Sequence, residues 1–146
     1  MTDFMEIIKG RRSVRNYEDK DVPDEMLNTI LEAVRWSPSW ANTQCWEIIF
    51  VKDAEKKKQL QGIIGAKNPA TKAIVGAPVV IALTGKLNSS GYYKGEALTK
   101  FGEWCMFDLG IAAQSIGLTA HSLGLATVIV GVFDHDKARE ILNVPD

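Results

Sequence analysis

A cluster of cations near the N-terminus carries the clearest chemical signal in the sequence. Residues 9–15 read Lys-Gly-Arg-Arg-Ser-Val-Arg, in a chain whose formal net charge is only -1. If the segment after Gly10 is extended, its side chains alternate in direction, so that Arg11, Ser13 and Arg15 point the same way. Two planar guanidinium groups and a hydroxyl in one row suit bidentate binding of a phosphate or a similar oxyanion. The alternative is a solvated basic turn that follows a short helix.

A second polar stretch leads directly into an apolar run. Residues 37–46 read Ser-Pro-Ser-Trp-Ala-Asn-Thr-Gln-Cys-Trp. Asn42 and Gln44 are two positions apart, so they face the same way if the chain is already extended there. Each amide offers a donor and an acceptor side by side, which matches the edge of a heteroaromatic ring with alternating N–H and C=O groups. The alternative is an ordinary polar turn between a helix and a strand.

The elements that must position these two stretches are interspersed helices and strands. Capping residues, prolines and hydrophobic periodicity predict helices over 3–9, from 23 to the turn before Pro38, and over 53–64, 96–123 and 134–144. Apolar runs predict strands over 46–51, 78–83 and 126–132. Because there is no regular βαβ alternation, the sequence predicts an α+β fold with a largely antiparallel sheet. The helix over 96–123 is apolar nearly all round, which indicates burial on most sides by its own domain or by a second subunit.

Length and composition limit the class of protein. The 146 residues are 46% hydrophobic and 24% charged, which predicts one globular domain over 1–146 with a sizeable core. The near-neutral charge argues against nucleic acid as a partner. Two cysteines and two histidines show no zinc-site spacing, so we expect no metal and reduced cytoplasmic thiols. Polar and charged residues interrupt the apolar region 101–132, and the N-terminus lacks a signal-peptide pattern, so we expect no membrane span.

Together with three further motifs, residues 11–17 (Arg-Arg-Ser-Val-Arg-Asn-Tyr) and residues 37–46 resemble the FMN-dependent nitroreductase family. The further motifs are Asp-Leu-Gly-Ile-Ala-Ala-Gln at 108–114, His-Ser-Leu-Gly-Leu-Ala-Thr at 121–127 and Gly-Val-Phe-Asp at 131–134. The resemblance covers nearly the whole chain, in the correct order and spacing. It implies a nitroreductase-like α+β fold, with a central sheet flanked by helices and a long buried central helix. It also implies a homodimer that binds FMN at the subunit interface and is reduced by NADH or NADPH.

The resemblance assigns cofactor-binding roles by position. The FMN phosphate, ribityl chain and pyrimidine edge would be held by Arg11, Arg12, Ser13 and Arg15. The partner subunit would contribute Pro38, Ser39, Trp40 and Asn42, and Gln44 joins them through the amide argument above. The far side of the ring would be lined by Val130 and Gly131, and a looser alignment adds Lys72. No side chain is assigned as a catalytic acid, base or nucleophile, because the flavin performs the hydride transfer.

The implied function is an NAD(P)H oxidoreductase that reduces nitroaromatics, quinones or similar small acceptors by ping-pong transfer. Two alternatives stay open, namely a flavoenzyme of this fold that catalyses reductive dehalogenation or flavin cleavage, and a flavin-free dimeric protein that binds a small anion. Loop 86–95, placed to act as a lid, would decide between the flavoenzymes. Two departures from the family concern Cys45, where proline is common, and the end at Asp146, where members usually continue with a strand and a tail. We expect either a trimmed sequence or a minimal form.

Overall fold

The computed structural model of the chain describes residues 3–145, and their contacts divide them into two compact units. Unit 1 comprises residues 3–11, 23–49 and 82–125, and unit 2 comprises residues 12–22, 50–81 and 126–145. The single domain over 1–146 stays a prediction. In chain order the elements are α1 (Phe4–Gly10), α2 (Asp24–Arg35), β1 (Trp46–Val51), α3 (Ala54–Gly62), α4 (Thr71–Gly76), β2 (Val80–Gly85), β3 (Tyr92–Tyr93), β4 (Glu96–Ala97), α5 (Cys105–Ser122) and α6 (His135–Leu142).

Unit 1 is built on the packing of α2 against α5. Helix α2 begins after Pro23, whose fixed φ suits a helix start, and Asp24 lies in the first turn, where negative charge is favourable. Leu27, Ile30 and Val34 recur at helical spacing and are at most 4% exposed. Helix α5 contributes the small buried residues Ala112, Gly117 and Ala120, which let the two helices approach closely. This pair forms the core of the unit.

Helix α5 is shorter than the sequence predicts, because it begins at Cys105 and not at residue 96. Within the predicted range Gly102 has a φ of +65°, and a left-handed residue interrupts a right-handed helix. Residues 92–93 pair instead with residues 96–97 as the antiparallel hairpin of β3 and β4. The predicted helix over 96–104 is therefore wrong.

Strand β1 and strand β2 are hydrogen-bonded neighbours. Cys45 O accepts a hydrogen bond from Lys86 N–H, and Glu47 O accepts one from the Thr84 hydroxyl. The residue numbers of the bonded pairs therefore increase along the first strand while they decrease along the second. That order is antiparallel. The bounds of β1 match the prediction, whereas β2 begins two residues later than predicted because Pro78 cannot donate to a ladder.

Unit 2 contains α3, α4 and α6. Asp53 and Asp134 accept hydrogen bonds from backbone N–H groups in the first turns of α3 and α6, as the sequence predicts. Lys57 is buried on α3 and donates from Nζ to Ala77 O at 2.8 Å. Because Ala77 follows the last turn of α4, this charge lies at the negative end of that helix. The bond ties α3 to α4.

The predicted third strand over 126–132 is wrong. Among the described residues this segment makes one isolated parallel bridge, between Thr127 and Ser13. Ile129 and Val132 are 73% and 77% exposed, so the β-branched residues that suggested a strand have no ladder to join. The α+β fold class itself is confirmed. None of the helices within residues 3–145 combines the length and the apolar character that crossing a membrane requires.

Candidate functional site

The cationic segment leaves α1 in an extended conformation at Arg11, which is the condition under which alternate side chains would point the same way. Gly10 ends the helix and Arg11 follows with φ -57° and ψ 129°. Within unit 2, Val14 N–H donates to Thr127 O at 3.0 Å, beside the bridge at Ser13. Arg15 donates from Nη1 to Ser13 O at 3.3 Å, and its side chain is exposed. The segment therefore presents exposed cations on a backbone that is anchored to residue 127.

The anchor brings two of the predicted binding segments together in unit 2. Thr127 is three residues before Val130 and four before Gly131, so the segment predicted to line the ring is joined to the segment predicted to hold the phosphate. Gly131 is exposed, with nothing within 4 Å of the position a Cβ would take. The predicted contact Lys72 lies in the first turn of α4 with an exposed side chain.

The loop over residues 37–45 in unit 1 has an unusual backbone. Ala41, Asn42 and Gln44 have φ values of 45°, 54° and 47°. Asparagine tolerates this left-handed region, but for other L-residues it costs about 1–2 kcal/mol each. The chain is therefore not extended at Asn42 and Gln44. An extended chain was the condition under which their two amides would face the same way. A loop with this much strain needs anchors that hold it.

One of those anchors is Asp108 in the first turn of α5, which is 0% exposed. Its Oδ1 accepts a hydrogen bond from Trp40 N–H at 3.0 Å, at the start of the strained stretch. Its Oδ2 accepts from the Ser90 hydroxyl at 2.6 Å and from the Cys45 thiol at 3.6 Å. Three donors thus satisfy the buried carboxyl group, and the positive end of the helix dipole favours it further.

The other anchors are made by the loop's own polar side chains. Gln44 N–H donates to Ser39 Oγ at 2.9 Å, and the Gln44 amide donates weakly to Arg35 O at 3.4 Å. The hydroxyls of Ser37 and Ser115 share a hydrogen bond of 2.6 Å, which joins the loop to α5. Ser39 and Gln44 are therefore engaged within unit 1, while Pro38 and Asn42 are exposed.

The two cysteines are buried beside Asp108. Burial, with smaller contributions from Cys105 and Asp108, raises the pKa of the Cys45 thiol to about 12. Burial likewise raises the pKa of Cys105. Both groups are neutral thiols at pH 7 and poor nucleophiles, because the reactive form is the thiolate. No set of three or more histidine, cysteine or acidic side chains within residues 3–145 is arranged to hold a metal ion.

Helix α5 also carries an open apolar face. Met106 and Phe107 are 77% and 59% exposed, so this chain buries only one side of the helix that the sequence predicts to be buried on most sides. A shallow groove on the open side is lined by Met106, Phe107, Gly110, Ile111, Gln114, Ser115 and Leu118.

Sequence reasoning missed Asp108 and Ser90 as site residues. The sequence shows Asp108 only as one polar interruption of an apolar helix, and Ser90 as one of several loop residues. The presence of Asp108 in an apolar helix could have revealed the site, because a buried carboxyl group requires hydrogen-bond donors from other parts of the chain.

The sequence is similar to a known protein family and to several known proteins. The sequence model of the Nitroreductase family matches residues 8–74 and 65–146. A relative from Methanothermobacter thermautotrophicus, provisionally named NADH dehydrogenase/NAD(P)H nitroreductase, is 33% identical over 148 residues, which cover 99% of this chain and 71% of the relative. The FMN reductase [NAD(P)H] of Bacillus subtilis is 30% identical, and the match covers 99% of this chain but 61% of that enzyme.

Solved structures show the same likeness. A nitroreductase family protein from Clostridium novyi NT superposes with a TM-score of 0.88 at 27% identity, covering 99% of this chain and 78% of the other. A provisionally named nitroreductase from Exiguobacterium sibiricum, solved in complex with FMN, gives a TM-score of 0.81 at 25% identity, with coverages of 99% and 82%.

Proposed function

This chain belongs to the nitroreductase family, and from that premise we propose that it is an FMN-dependent oxidoreductase that uses NADH or NADPH. Its acceptor would be a nitroaromatic, a quinone or a similar small molecule. The observation that carries the proposal is the bridge between Ser13 and Thr127, since it joins the cationic segment to the segment of Val130 and Gly131. The FMN named in the Bacillus subtilis relative and bound in the Exiguobacterium structure supports the choice of cofactor.

The residues in unit 2 fit the phosphate end of FMN. A phosphate dianion needs fixed cations and hydroxyl donors, and Arg12, Ser13 and Arg15 are all exposed on the anchored segment. The hydrogen bond from Arg15 to Ser13 O uses one N–H of a guanidinium group that has five. Arg12 and Ser13 would hold the phosphate and the ribityl chain, Arg15 would reach the pyrimidine edge, and Val130 and Gly131 would lie along the ring.

The chain's own contribution to the reaction is orientation and charge. When bound, FMN supplies the chemistry of accepting a hydride from NAD(P)H and delivering it to the acceptor. Arg15 would keep a positive charge near the pyrimidine edge, where an electron-rich ring is stabilised by a cation. Pro38, Ser39, Trp40, Asn42 and Gln44 would fix the ring's position from the other subunit and leave one face open to both substrates.

A homodimer is part of the proposal, because the open face of α5 would bury its exposed apolar side chains against a second copy. Met106→Lys places a charge on that face and should shift the protein from dimer to monomer in analytical ultracentrifugation. Val75→Lys is the matched control, since Val75 is also an exposed apolar residue but lies on α4. A wild-type monomer, or a Met106→Lys dimer, would contradict this part.

Flavin binding tests the function directly. The purified protein should take up FMN, show the yellow flavin absorbance and bleach when NADH or NADPH is added without oxygen. Arg15→Ala should weaken FMN binding by about tenfold with little change in melting temperature, because the side chain is exposed and its charge-assisted hydrogen bonds to the pyrimidine edge would be lost. Lys58→Ala, at an exposed position on α3, controls for loss of one positive charge. A colourless protein that takes up no FMN would favour the flavin-free alternative.

Arg11→Ala tests the phosphate role, and equal FMN affinity in wild type and this variant would refute that role. Once FMN binding is established, a titration with each nicotinamide followed by a panel of nitroaromatic, quinone and halogenated aromatic acceptors identifies the substrate class. Release of halide from the last group would favour reductive dehalogenation over nitro reduction.

A further inference from the structure

The proposed reaction gives no role to Asp108, yet this residue joins two distant parts of unit 1. Its Oδ1 binds Trp40 N–H in the loop 37–45, and its Oδ2 binds the Ser90 hydroxyl. Ser90 lies near the beginning of segment 88–104, our name for the residues that run through the β3–β4 hairpin to the start of α5. A single carboxyl group therefore serves as the acceptor for both the loop and the segment.

Segment 88–104 is built tightly around Ser90, which is 0% exposed. Ser90 O accepts a hydrogen bond from Trp104 N–H at 3.1 Å. The next residue, Gly91, has φ +88°, and a Cβ there would collide with Gly102 O and lie 2.7 Å from Trp104 Cδ1. Residues before and after the hairpin thus contact each other at Ser90 and Gly91, so a movement of Ser90 also moves the segment that follows it.

On the other side of the carboxyl group, the loop depends on its anchor. Trp40, whose N–H is bound by Asp108, directly precedes the strained Ala41, and Gln44 is strained as well. Left-handed φ values at such residues persist only where surrounding contacts hold them. Loss of the bond at Trp40 removes one of those contacts and lets the loop relax.

Resting on the proposed function, in which loop 37–45 contributes to the FMN site, we propose that Asp108 is a positioning residue through which segment 88–104 controls that loop. A change at Ser90 then alters flavin affinity, although Ser90 itself is assigned no contact with the flavin. Since coupling between two sites is reciprocal, FMN bound at the loop also shifts the equilibrium of segment 88–104 toward its closed arrangement.

Flavin affinity provides the first test, measured as the dissociation constant of FMN from its fluorescence quenching. Ser90→Ala and Asp108→Asn should each weaken binding by about tenfold, since the first removes a donor to the buried carboxyl group and the second replaces one of its acceptor oxygens with a donor. The double variant should bind no more weakly than Asp108→Asn alone, because both changes act through the same group. Ile30→Val, a small core change on α2, should stay within about twofold of wild type. Additive losses, or losses no larger than that of Ile30→Val, would overturn the proposal.

Hydrogen exchange of the FMN-free protein provides the second test and does not depend on the cofactor. Ser90→Ala should speed amide exchange in loop 37–45, at Trp40 above all, whereas Ile30→Val should not. Unchanged exchange in that loop would overturn the proposal. Failure of the wild-type protein to bind FMN would refute the proposed function, and the exchange result would then decide by itself whether Asp108 transmits the change.

Discussion

Raising the pH from about 8 to about 10 should destabilise the wild-type protein more than a Cys45→Ala variant. Cys45 is 3% exposed, and its thiol donates to the carboxyl group of Asp108 at 3.6 Å. Burial, together with Cys105 and Asp108, raises the pKa of Cys45 from 9.0 to about 12. An acid whose pKa is raised on folding stabilises the folded state while it is protonated. Its contribution is therefore complete below pH 9 and is lost as the pH rises toward 12.

The size of the effect follows from linkage between protonation and folding. With a pKa of 9.0 in the unfolded chain and about 12 in the folded protein, the free energy of unfolding falls by about 0.4 kcal/mol at about pH 9 and by about 1.4 kcal/mol at about pH 10. Cys45→Ala has no thiol at this position and loses none of this amount. The variant is less stable at neutral pH, because a buried sulfur is removed, so the gap between the two proteins should narrow as the pH rises.

The assay is urea unfolding, followed by tryptophan fluorescence in the presence of a reductant, at several pH values for both proteins. Val51→Ala serves as the control, since Val51 is equally buried but has no titratable group. The difference in free energy of unfolding between Val51→Ala and wild type should be the same at every pH. A constant difference between wild type and Cys45→Ala would refute the reasoning, because it would mean that the thiol ionises as easily in the folded protein as in the unfolded chain.

Three further predictions concern close packing and backbone strain. Ala41→Gly should raise the free energy of unfolding by about 1 kcal/mol, because φ 45° suits glycine; a destabilised variant would contradict the strain. Gly85→Ala should lower it by about 1–3 kcal/mol, since its Cβ would overlap Cys105 Sγ, and Cys105→Ala should remove most of that penalty in a double-mutant cycle. Gly10→Ala places a Cβ 2.6 Å from His121 Nε2 and should cost about 1 kcal/mol. An equal cost in the His121→Ala background would refute the contact.

Local signals in the sequence predicted the structure well. The caps at Asp53 and Asp134 were found because a capping side chain binds backbone N–H groups only three residues away. Strand β1 was found to the residue because an apolar run between polar neighbours defines both of its ends. The end of α1 at Gly10 was likewise predicted from the glycine alone.

Non-local features were not predicted. The segment 126–132 has the composition of a strand, but a strand exists only where neighbours supply a ladder, and the described part of this chain supplies one bridge at Thr127. The left-handed residues of loop 37–45 are equally hidden. Ala41 and Gln44 have no intrinsic preference for that conformation, so only the contacts that hold them could have revealed it.

The error in the start of α5 and the failure to see the role of Asp108 have one cause. In a helix that begins at residue 96, Asp108 lies several turns inside, where its carboxyl group is only a polar interruption. In the helix that actually begins at Cys105, Asp108 lies in the first turn, where the dipole favours negative charge. The chain before Cys105 is then free to fold as a hairpin and bring Ser90 within 2.6 Å of the same carboxyl group. The left-handed Gly102 that delays the start of α5 therefore also leaves the preceding chain able to supply Ser90, the hydrogen-bond donor that makes the buried acid tolerable.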